Sequence, residues 1–170
     1  GGESAKEWSA AECTVTPSTE RVKATASSLR WHVPVDFHAG EAKYPIGWPR
    51  FGHAIPEGPL RDWTGWDFLH FWVYVETSRD ALPREPAGLG LHVPDRSNAF
   101  HRSLTELKKG EWVEINIPLS QIPRHNDARY LQFNISESNY RDGDQVDFYV
   151  DDLALLRYAR PTLLDFAAES

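Results

Sequence analysis

Apolar and polar residues alternate with a period of two along several stretches of the chain, which is typical of β-strands with one buried face. The stretches are LHFWVYV at 69–75, GLGLHV at 88–93, EWVEINI at 111–117, YLQFNIS at 130–136 and VDFYV at 146–150. SSLRWHVPV at 27–35 also reads as a strand, near a sheet edge because Pro34 cannot donate a ladder hydrogen bond. Turn-forming runs such as LPREPAG and RDGD separate the strands. The pattern predicts an all-β fold, an antiparallel β-sandwich.

Two kinds of segment lack this alternation. Residues 38–66 contain Gly and Pro throughout and are interpreted as a long ordered loop, which in a compact domain is more often functional than idle. The helical candidates are short, RSLTELKKG at 102–110 and PTLLDFAAES at 161–170. We expect residues 1–158 to form a single β-sandwich domain, and residues 159–170 to be a linker or the start of a following domain.

Charge and cysteine content exclude several classes of function. The formal net charge of −7 argues against a nucleic acid or an anionic membrane as the main partner. No apolar run approaches the roughly 20 residues that a transmembrane helix needs, and the N-terminus lacks the apolar region of a signal peptide. Because Cys13 is the single cysteine, the chain has no internal disulfide and no cysteine-based zinc site.

The polar face of the predicted strands is unusual for a surface that meets only water. If the odd-numbered residues of 69–75 fill the core, the opposite face carries His70, Trp72 and Tyr74. A solvated sheet face usually carries Lys, Glu, Thr and Ser, whereas aromatic, imidazole and amide groups dominate here. With the partner strands, the candidate ligand contacts on this face are His70, Trp72, Tyr74, His92, Asn116, Gln132 and Asn134.

Aromatic rings beside amide and imidazole groups suit carbohydrate binding. The C–H faces of sugars stack on rings, and sugar hydroxyls need planar donors and acceptors in fixed positions. The alternative is that residues 38–66 or a neighbouring domain cover the face and bury its aromatics. The loop YPIGWPRF at 44–51 offers a second candidate patch, with Trp48 between two structure-breaking residues and Arg50 suited to an acidic sugar, although loop aromatics often only anchor the loop.

The sequence contains no established enzyme motif. It has no metalloprotease histidine pair, nucleophile elbow, phosphate loop or dinucleotide fingerprint, so we predict no catalytic residue. The alternative from another class of function is a small jelly-roll polysaccharide lyase, which would use a His–Tyr–Arg constellation. Residues of the right types for it are His70, Tyr74, His92 and Arg96.

Two adjacent carboxylates, Asp151 and Asp152, interrupt the apolar strand YVDDLALL at 149–156. Buried carboxylates need a partner. In a β-sandwich this partner is either an oxygen-ligated Ca²⁺ or a set of backbone N–H groups at a strand bulge. The residue pattern leaves both alternatives open.

The succession DWTGWDFLHFWVYV, EWVEINIPLSQI, LQFNIS and FYVDDLALL resembles the strands of galactose-binding-domain-like carbohydrate-binding modules, over residues 15–158. These modules are jelly-roll β-sandwiches that are commonly attached to secreted bacterial glycoside hydrolases and lyases. The resemblance implies a packing role for Trp63 and Trp66, and core positions for Leu69 and Phe71.

The resemblance also implies a function. We expect a non-catalytic, secreted or periplasmic module that binds a polysaccharide or oligosaccharide and targets a catalytic domain of the same polypeptide to it. Other members only brace a catalytic domain and bind no ligand, which is the alternative within this family. Members often carry a structural Ca²⁺ bound by an Asp at the VDD position, which implies Asp151 and Asp152 as ligands. An acidic partner near the N-terminus would be Glu7, Glu12 or Glu20.

Overall fold

β-strands make up most of the regular structure of the chain. The structure, a computed structural model, describes residues 7–94 and 96–157. Its strands are β1 (Ser9–Ala11), β2 (Thr14–Ser18), β3 (Ser28–Pro34), β4 (Arg50–Ala54), β5 (Phe68–Thr77), β6 (Gly88–Val93), β7 (Arg96–Ser103), β8 (Trp112–Pro118), β9 (Tyr130–Asn134) and β10 (Gln145–Leu156). Short 3₁₀ turns lie at Pro59–Arg61, Leu119–Gln121 and Glu137–Asn139. None of the described helices has the length and apolar character needed to cross a bilayer.

The strands of the described residues form two antiparallel sheets of five strands each. One sheet has the order β1-β4-β9-β6-β7 and the other the order β2-β3-β10-β5-β8. From β3 onward the chain passes to the other sheet after every strand except β6, which forms a hairpin with β7. Passing between sheets in this way is typical of jelly-roll sandwiches. The predicted all-β antiparallel sandwich is confirmed.

The core lies between the two sheets and consists of the residues that alternation predicts to face inward. Leu69, Phe71, Val73 and Val75 of β5 are all buried, as are the inward residues of β3, β6 and β9 and, in β10, Val146, Phe148 and Val150. Aromatic rings cross the centre, where the ring centroids of Phe51 and Phe133 lie 5.1 Å apart and those of Trp31 and Phe148 lie 4.5 Å apart. Each fully buried large apolar side chain contributes about 1.5–3 kcal/mol to the free energy of folding. The predicted core of β5 is therefore confirmed.

Four strands, β1, β2, β4 and β7, occur where alternation did not predict them. β4 lies inside the segment interpreted as loop, because its outward positions include Gly52 and Ala54 and therefore show no polar alternation. The pattern did not predict β7 because the charged Arg102 occupies an inward position, opposite the buried Leu89. A short strand with such residues cannot be distinguished locally from a loop, and sheet pairing decides its conformation.

Several further expectations differ from the structure. Residues 102–110 are not helical, because Arg102 and Ser103 end β7 and the buried Leu104 and Leu107 flank a turn. Trp63 packs in the core as expected, but Trp66 is 37% exposed and Arg157 lies over its ring, so its predicted packing role is wrong. The predicted helix at 161–170 and the segment 159–170 lie outside the described residues, and the domain boundary after residue 158 stays a prediction.

Candidate functional site

The structure divides the predicted ligand contacts between the two outer surfaces of the sandwich. β5 and β8 lie in one sheet and β6 and β9 in the other, so the prediction that their polar residues share one face is wrong. The outer surface of the β9 sheet, called the β9 face, carries Arg50, Gly52, Gly88, Gly90, His92, His101, Ser103, Tyr130, Gln132 and Asn134. The outer surface of the β10 sheet, called the β10 face, carries Arg30, His32, His70, Trp72, Tyr74, Trp112, Glu114, Asn116, Asp147, Tyr149 and Asp151.

Residues 19–27, which connect β2 to β3, lie across the β10 face and are held there by Asp151. The buried Asp151 carboxylate accepts hydrogen bonds from the backbone N–H groups of Lys23 at 2.6 Å, Ala24 at 2.9 Å and Thr25 at 3.3 Å. It also accepts hydrogen bonds from the Thr25 hydroxyl and from the backbone N–H of Asp152. These donors lower the pKa of Asp151, although burial alone would raise it.

Cationic side chains of the same connection lie over Tyr74 and Trp72 of the β10 face. The guanidinium of Arg21 lies 4.3 Å from the ring centroid of Tyr74, and Arg21 also forms an ion pair with Glu76. The Lys23 ammonium lies 4.8 Å from the ring centroid of Trp72. Cation–π contacts of this kind occupy the ring surface that a sugar would need. Trp72 and Tyr74 therefore already have partners from their own chain.

His70, the third predicted contact on β5, is buried within a hydrogen-bonded group. Its Nδ1 lies 2.7 Å from Oδ1 of Asn116, and its Nε2 lies 3.2 Å from Oδ2 of Asp152. The Asn116 amide donates onward to Glu114 at 2.8 Å. Both ring nitrogens are engaged, so His70 stabilises the junction of β5, β8 and β10 and offers no ring atom to a ligand.

A β-bulge separates Asp151 from Asp152 and gives the two carboxylates different surroundings. The pairing of β10 with β5 shifts register between Asp151 and Ala154, and Asp152 adopts a left-handed φ of 54°. This arrangement matches the backbone hydrogen-bond alternative for Asp151. Hydrogen-bond donors surround both Asp151 oxygens, and a cation would not fit among them. In residues 7–94 and 96–157 no group of three His, Cys, Asp or Glu side chains is placed to hold a metal ion. The Ca²⁺ site at Asp151 and Asp152 stays a prediction.

The acidic residues considered as N-terminal partners of that ion lie elsewhere. Glu12 pairs with Arg50 at 3.3 Å, and Glu7 lies 3.2 Å from the His53 ring, both on the β9 sheet. The backbone N–H of Glu20 donates to Ser18 Oγ at 3.2 Å. In the described part of the chain, none of these three glutamates forms an ion pair or hydrogen bond with Asp151.

Several outward positions of the β9 face are glycines, so few side chains project from the middle of this face. Side chains of neighbouring strands lie over two of them. A Cβ added to Gly52 would come within 2.3 Å of the Tyr130 hydroxyl oxygen, and a Cβ added to Gly88 within 2.7 Å of Nε2 of His101. The Tyr130 ring also lies beside His92, with ring centroids 5.2 Å apart. Two rings therefore lie down on the sheet and do not project from it.

Amide side chains lie between these rings. Gln132 is buried at the centre of the face, paired in register with Gly52 on one side and Gly90 on the other. Oδ1 of Asn134 is buried and has no hydrogen-bond partner among the described residues. Asn134, His101 and Ser103 line a cavity of about 90 Å³. A hydroxyl donor that reached this oxygen would gain a hydrogen bond without displacing another.

Trp48 and Arg50 form one rim of the β9 face. The Arg50 guanidinium stacks on the Trp48 ring at 3.6 Å from its centroid. Its nitrogens lie 3.3 Å from a Glu12 oxygen and 3.1 Å from a Glu41 oxygen. Because two carboxylates already neutralise Arg50, the expectation that it suits an acidic sugar loses its basis. Trp48, which is half-buried, remains a rim residue of this face.

Residues that sequence reasoning missed complete the β9 face. Tyr130 shares the period-two pattern of Gln132 and Asn134 and could have been included by that signal. His101 had no such signal, because β7 itself was not predicted. Gly52 and Gly88 carry no side chain to attract attention, and only strand pairing shows what lies over them.

The residues proposed for a lyase do not come together. His70 and Tyr74 lie on the β10 face, whereas His92 lies on the β9 face, with the sandwich core between them. Arg96 belongs to β7, and its side chain lies outside the described part. A general base and its partners must be within hydrogen-bond reach of one substrate, which this separation prevents.

No protein-family model matches the chain, and no curated protein matches it. Solved structures match its fold. The family 11 carbohydrate-binding module from Clostridium thermocellum, in complex with a β-1,3-1,4-mixed-linked tetrasaccharide, superposes with a TM-score of 0.59 at 11% identity and covers 91% of each chain. A structure of carbohydrate-binding modules from the β-sandwich superfamily gives a TM-score of 0.55 at 19% identity, over 88% of this chain and 56% of that chain.

A larger enzyme contains the same fold. An exo-β-agarase matches with a TM-score of 0.63 at 9% identity, over 91% of this chain but only 23% of the agarase chain. At these identities the similarity establishes the architecture. The chain has the β-sandwich fold of carbohydrate-binding modules.

Proposed function

We propose that the chain is a non-catalytic carbohydrate-binding module that binds a polysaccharide on its β9 face. The observation that carries this proposal is the arrangement of Tyr130, His92, Gln132 and Asn134 around glycine positions. Rings that lie on the sheet offer surface to the C–H faces of sugars, and the amides between them offer donors and acceptors to hydroxyls. The β10 face has the same residue types, but Arg21 and Lys23 of the connection 19–27 lie over its Tyr74 and Trp72 rings.

The dimensions of the β9 face favour a chain over a single sugar. From Tyr130 to Asn134 the face extends four residues along β9, which is roughly 13 Å. This length exceeds one pyranose ring. Because the rings of Tyr130 and His101 lie over Gly52 and Gly88, a ligand that crosses β4, β9 and β6 would lie on these rings.

Attachment to an enzyme in a secreted or periplasmic protein is the second part of the proposal. The agarase match, in which the shared fold is a minor part of a longer chain, supports it. The role of the module would be to keep a catalytic domain close to its polysaccharide, which raises the effective substrate concentration. The proposal does not require calcium, because hydrogen-bond donors already surround Asp151.

Affinity electrophoresis on gels that contain single polysaccharides tests the proposal. We expect retardation on at least one neutral polysaccharide, and loss of that retardation in Tyr130→Ala with the circular dichroism spectrum unchanged. Incubation with acidic glycans should release no unsaturated uronate, because no candidate lyase residues converge. Absence of retardation on every gel would reject polysaccharide binding.

A ligand-free bracing domain is the second candidate, and one surface favours it. Leu60 is 66% exposed and Leu156 39% exposed. Leu60 also borders a mainly apolar cavity of about 400 Å³ that reaches Trp63 and Leu153. Exposed apolar residues beside such a cavity are typical of contacts with another domain. If the wild-type protein binds no glycan and the Leu60→Ser variant is more soluble than wild type, the bracing function is supported.

A further inference from the structure

Glycine at positions 52 and 88 of the β9 face has no backbone explanation. Among the described glycines, Gly58, Gly110 and Gly143 have positive φ, and Gly52 and Gly88 do not. Both lie in paired strands, where glycine weakens the strand and has no side chain to pack. What distinguishes them is the side chain above each. The space that a Cβ would need is filled by another residue's ring.

We propose that Gly52 and Gly88 are positioning residues of the ligand face, which hold Tyr130 and His101 down against the sheet. This inference rests on the proposed function. The position of these rings against the sheet is called the ring posture. Glycan binding then depends on the ring posture as well as on the presence of the rings. A larger residue at either glycine raises the ring from the sheet and places it in the space that the ligand would occupy.

The contact at Gly52 shows how the posture is determined. Gly52 pairs with Gln132, and Tyr130 lies two residues before Gln132 on the same face, so its ring reaches Gly52 diagonally across the strands. An added Cβ would lie 2.3 Å from Oη, 2.4 Å from Cζ and 2.5 Å from Cε1 of Tyr130. Contacts below 3.0 Å essentially never occur for real Cβ atoms, so the ring must move.

The contact at Gly88 repeats this geometry on the neighbouring strand pair. His101 pairs with Gly90 and leans diagonally to Gly88, where an added Cβ would lie 2.7 Å from Nε2 and 3.0 Å from Cε1 of the ring. His101 also borders the cavity that contains Asn134. Two independent pairs of strands therefore use the same device on one face.

Glycine-to-alanine variants test the inference, with Gly65→Ala as the matched control. A Cβ at Gly65 would meet only an Arg157 nitrogen at 3.6 Å, an ordinary van der Waals contact. On the polysaccharide that retards wild type most, Gly52→Ala should weaken binding at least tenfold, and Gly88→Ala should weaken it measurably. Gly65→Ala should stay within twofold of wild type. Full affinity in Gly52→Ala would overturn the inference.

A double-variant cycle separates positioning from a general loss of structure. In Tyr130→Ala the ring is absent, so adding Gly52→Ala should cause no further loss of affinity and should fold as well as Tyr130→Ala alone. Additive losses of affinity in Gly52→Ala/Tyr130→Ala would overturn the inference, because Gly52 would then act independently of the ring.

A stability measurement on the protein without ligand distinguishes failure of this inference from failure of the proposed function. In urea unfolding, Gly52→Ala should lower the midpoint more than Gly65→Ala does, and Tyr130→Ala should abolish that difference. If no polysaccharide binds wild type but this coupling is present, the proposed function fails and the ring posture stands. If Gly52→Ala behaves like Gly65→Ala in unfolding, the posture is wrong whatever the ligand.

Discussion

The β9 face and the β10 face are built from similar side chains and differ in what those side chains contact. Each has aromatic, imidazole and amide groups on its outward positions. On the β10 face, residues 19–27 bring Arg21 and Lys23 over the rings and bind Asp151 through their backbone. On the β9 face, the rings of Tyr130 and His101 rest on glycine positions.

This difference shows that aromatic composition alone does not identify a ligand site. Exposed aromatic and amide groups gain energy from any partner of suitable chemistry, and a loop of the same chain is such a partner. A face is available to a ligand when its own chain leaves the ring surfaces uncovered. Substitutions on each face separately test this difference between the two faces.

The largest expected effect is on stability, from Asp151→Asn on the β10 face. In wild type, backbone N–H groups, including those of Lys23 and Ala24, donate to the charged carboxylate. An amide in its place would bring its own N–H groups against these donors. Hydrogen bonds to charged groups contribute about 1.5–3 kcal/mol each, so we expect a loss of roughly 3 kcal/mol in urea unfolding. Asp152→Asn, the control, should cost less, because Asp152 is more exposed and contacts His70. Equal losses would contradict the structural role of Asp151.

The second effect is on binding, and it compares Tyr130→Ala with Trp72→Ala. Truncating a central aromatic contact typically costs 2 kcal/mol or more, which corresponds to roughly thirtyfold in affinity. We expect that loss in isothermal titration for Tyr130→Ala on the β9 face. Trp72→Ala should bind within twofold of wild type, because Lys23 already covers the Trp72 ring. The reverse result would move the ligand to the β10 face.

The third effect is a pH dependence of opposite sign in the two regions. On the β10 side, hydrogen bonds from Thr25 and from the backbone outweigh burial and lower the pKa of Asp151 from its ordinary 3.8. A lowered pKa means that the folded state holds the proton less tightly than the unfolded chain. The stability that Asp151 contributes is therefore present above about pH 3.8 and is lost as the pH falls through its folded pKa.

On the β9 side, burial raises the pKa of Glu137 above its ordinary 4.5, against hydrogen bonds from the backbone N–H groups of Asp36 and Gly47. The negative charges of Glu12 and Asp36 add to the increase. The contribution of Glu137 is therefore complete below pH 4.5 and is lost as the pH rises through its folded pKa. We expect the urea midpoint of wild type to decline below about pH 3.8 and again above pH 4.5. Asp151→Asn should remove the first decline, and Glu137→Gln should remove the second. Unchanged profiles would reject these assignments.

The smallest expected effect concerns calcium. Because hydrogen-bond donors already bind Asp151, a chelator should leave the melting temperature of the protein unchanged. A bound ion at a hundredfold excess over its Kd would stabilise the fold by about 2.7 kcal/mol, which a melting curve detects readily. A melting temperature that rises with added Ca²⁺ in wild type but not in Asp151→Asn would establish the ion site that the family resemblance implied.

Sequence reasoning identified the strands with regular alternation and the side of each strand that is buried. Leu69, Phe71 and Val146 are core residues as predicted, because burial on one face imposes a period of two on any strand. β4 and β7 were not found, since Gly52 and Arg102 interrupt that period. The hydrogen-bonded state of Asp151 stayed open, because the donors at Lys23 and Ala24 lie more than a hundred residues away in the sequence.

The amino-acid sequence by itself thus determined the fold class, the inward residues and the kinds of side chain available for recognition. Only the tertiary structure decided which sheet each strand joined, and it separated His70, Trp72, Tyr74 and Asn116 from His92, Gln132 and Asn134. The reason is that alternation is a local property of one strand. Sheet membership and the covering of a face depend on pairing between distant segments, which a local pattern does not encode.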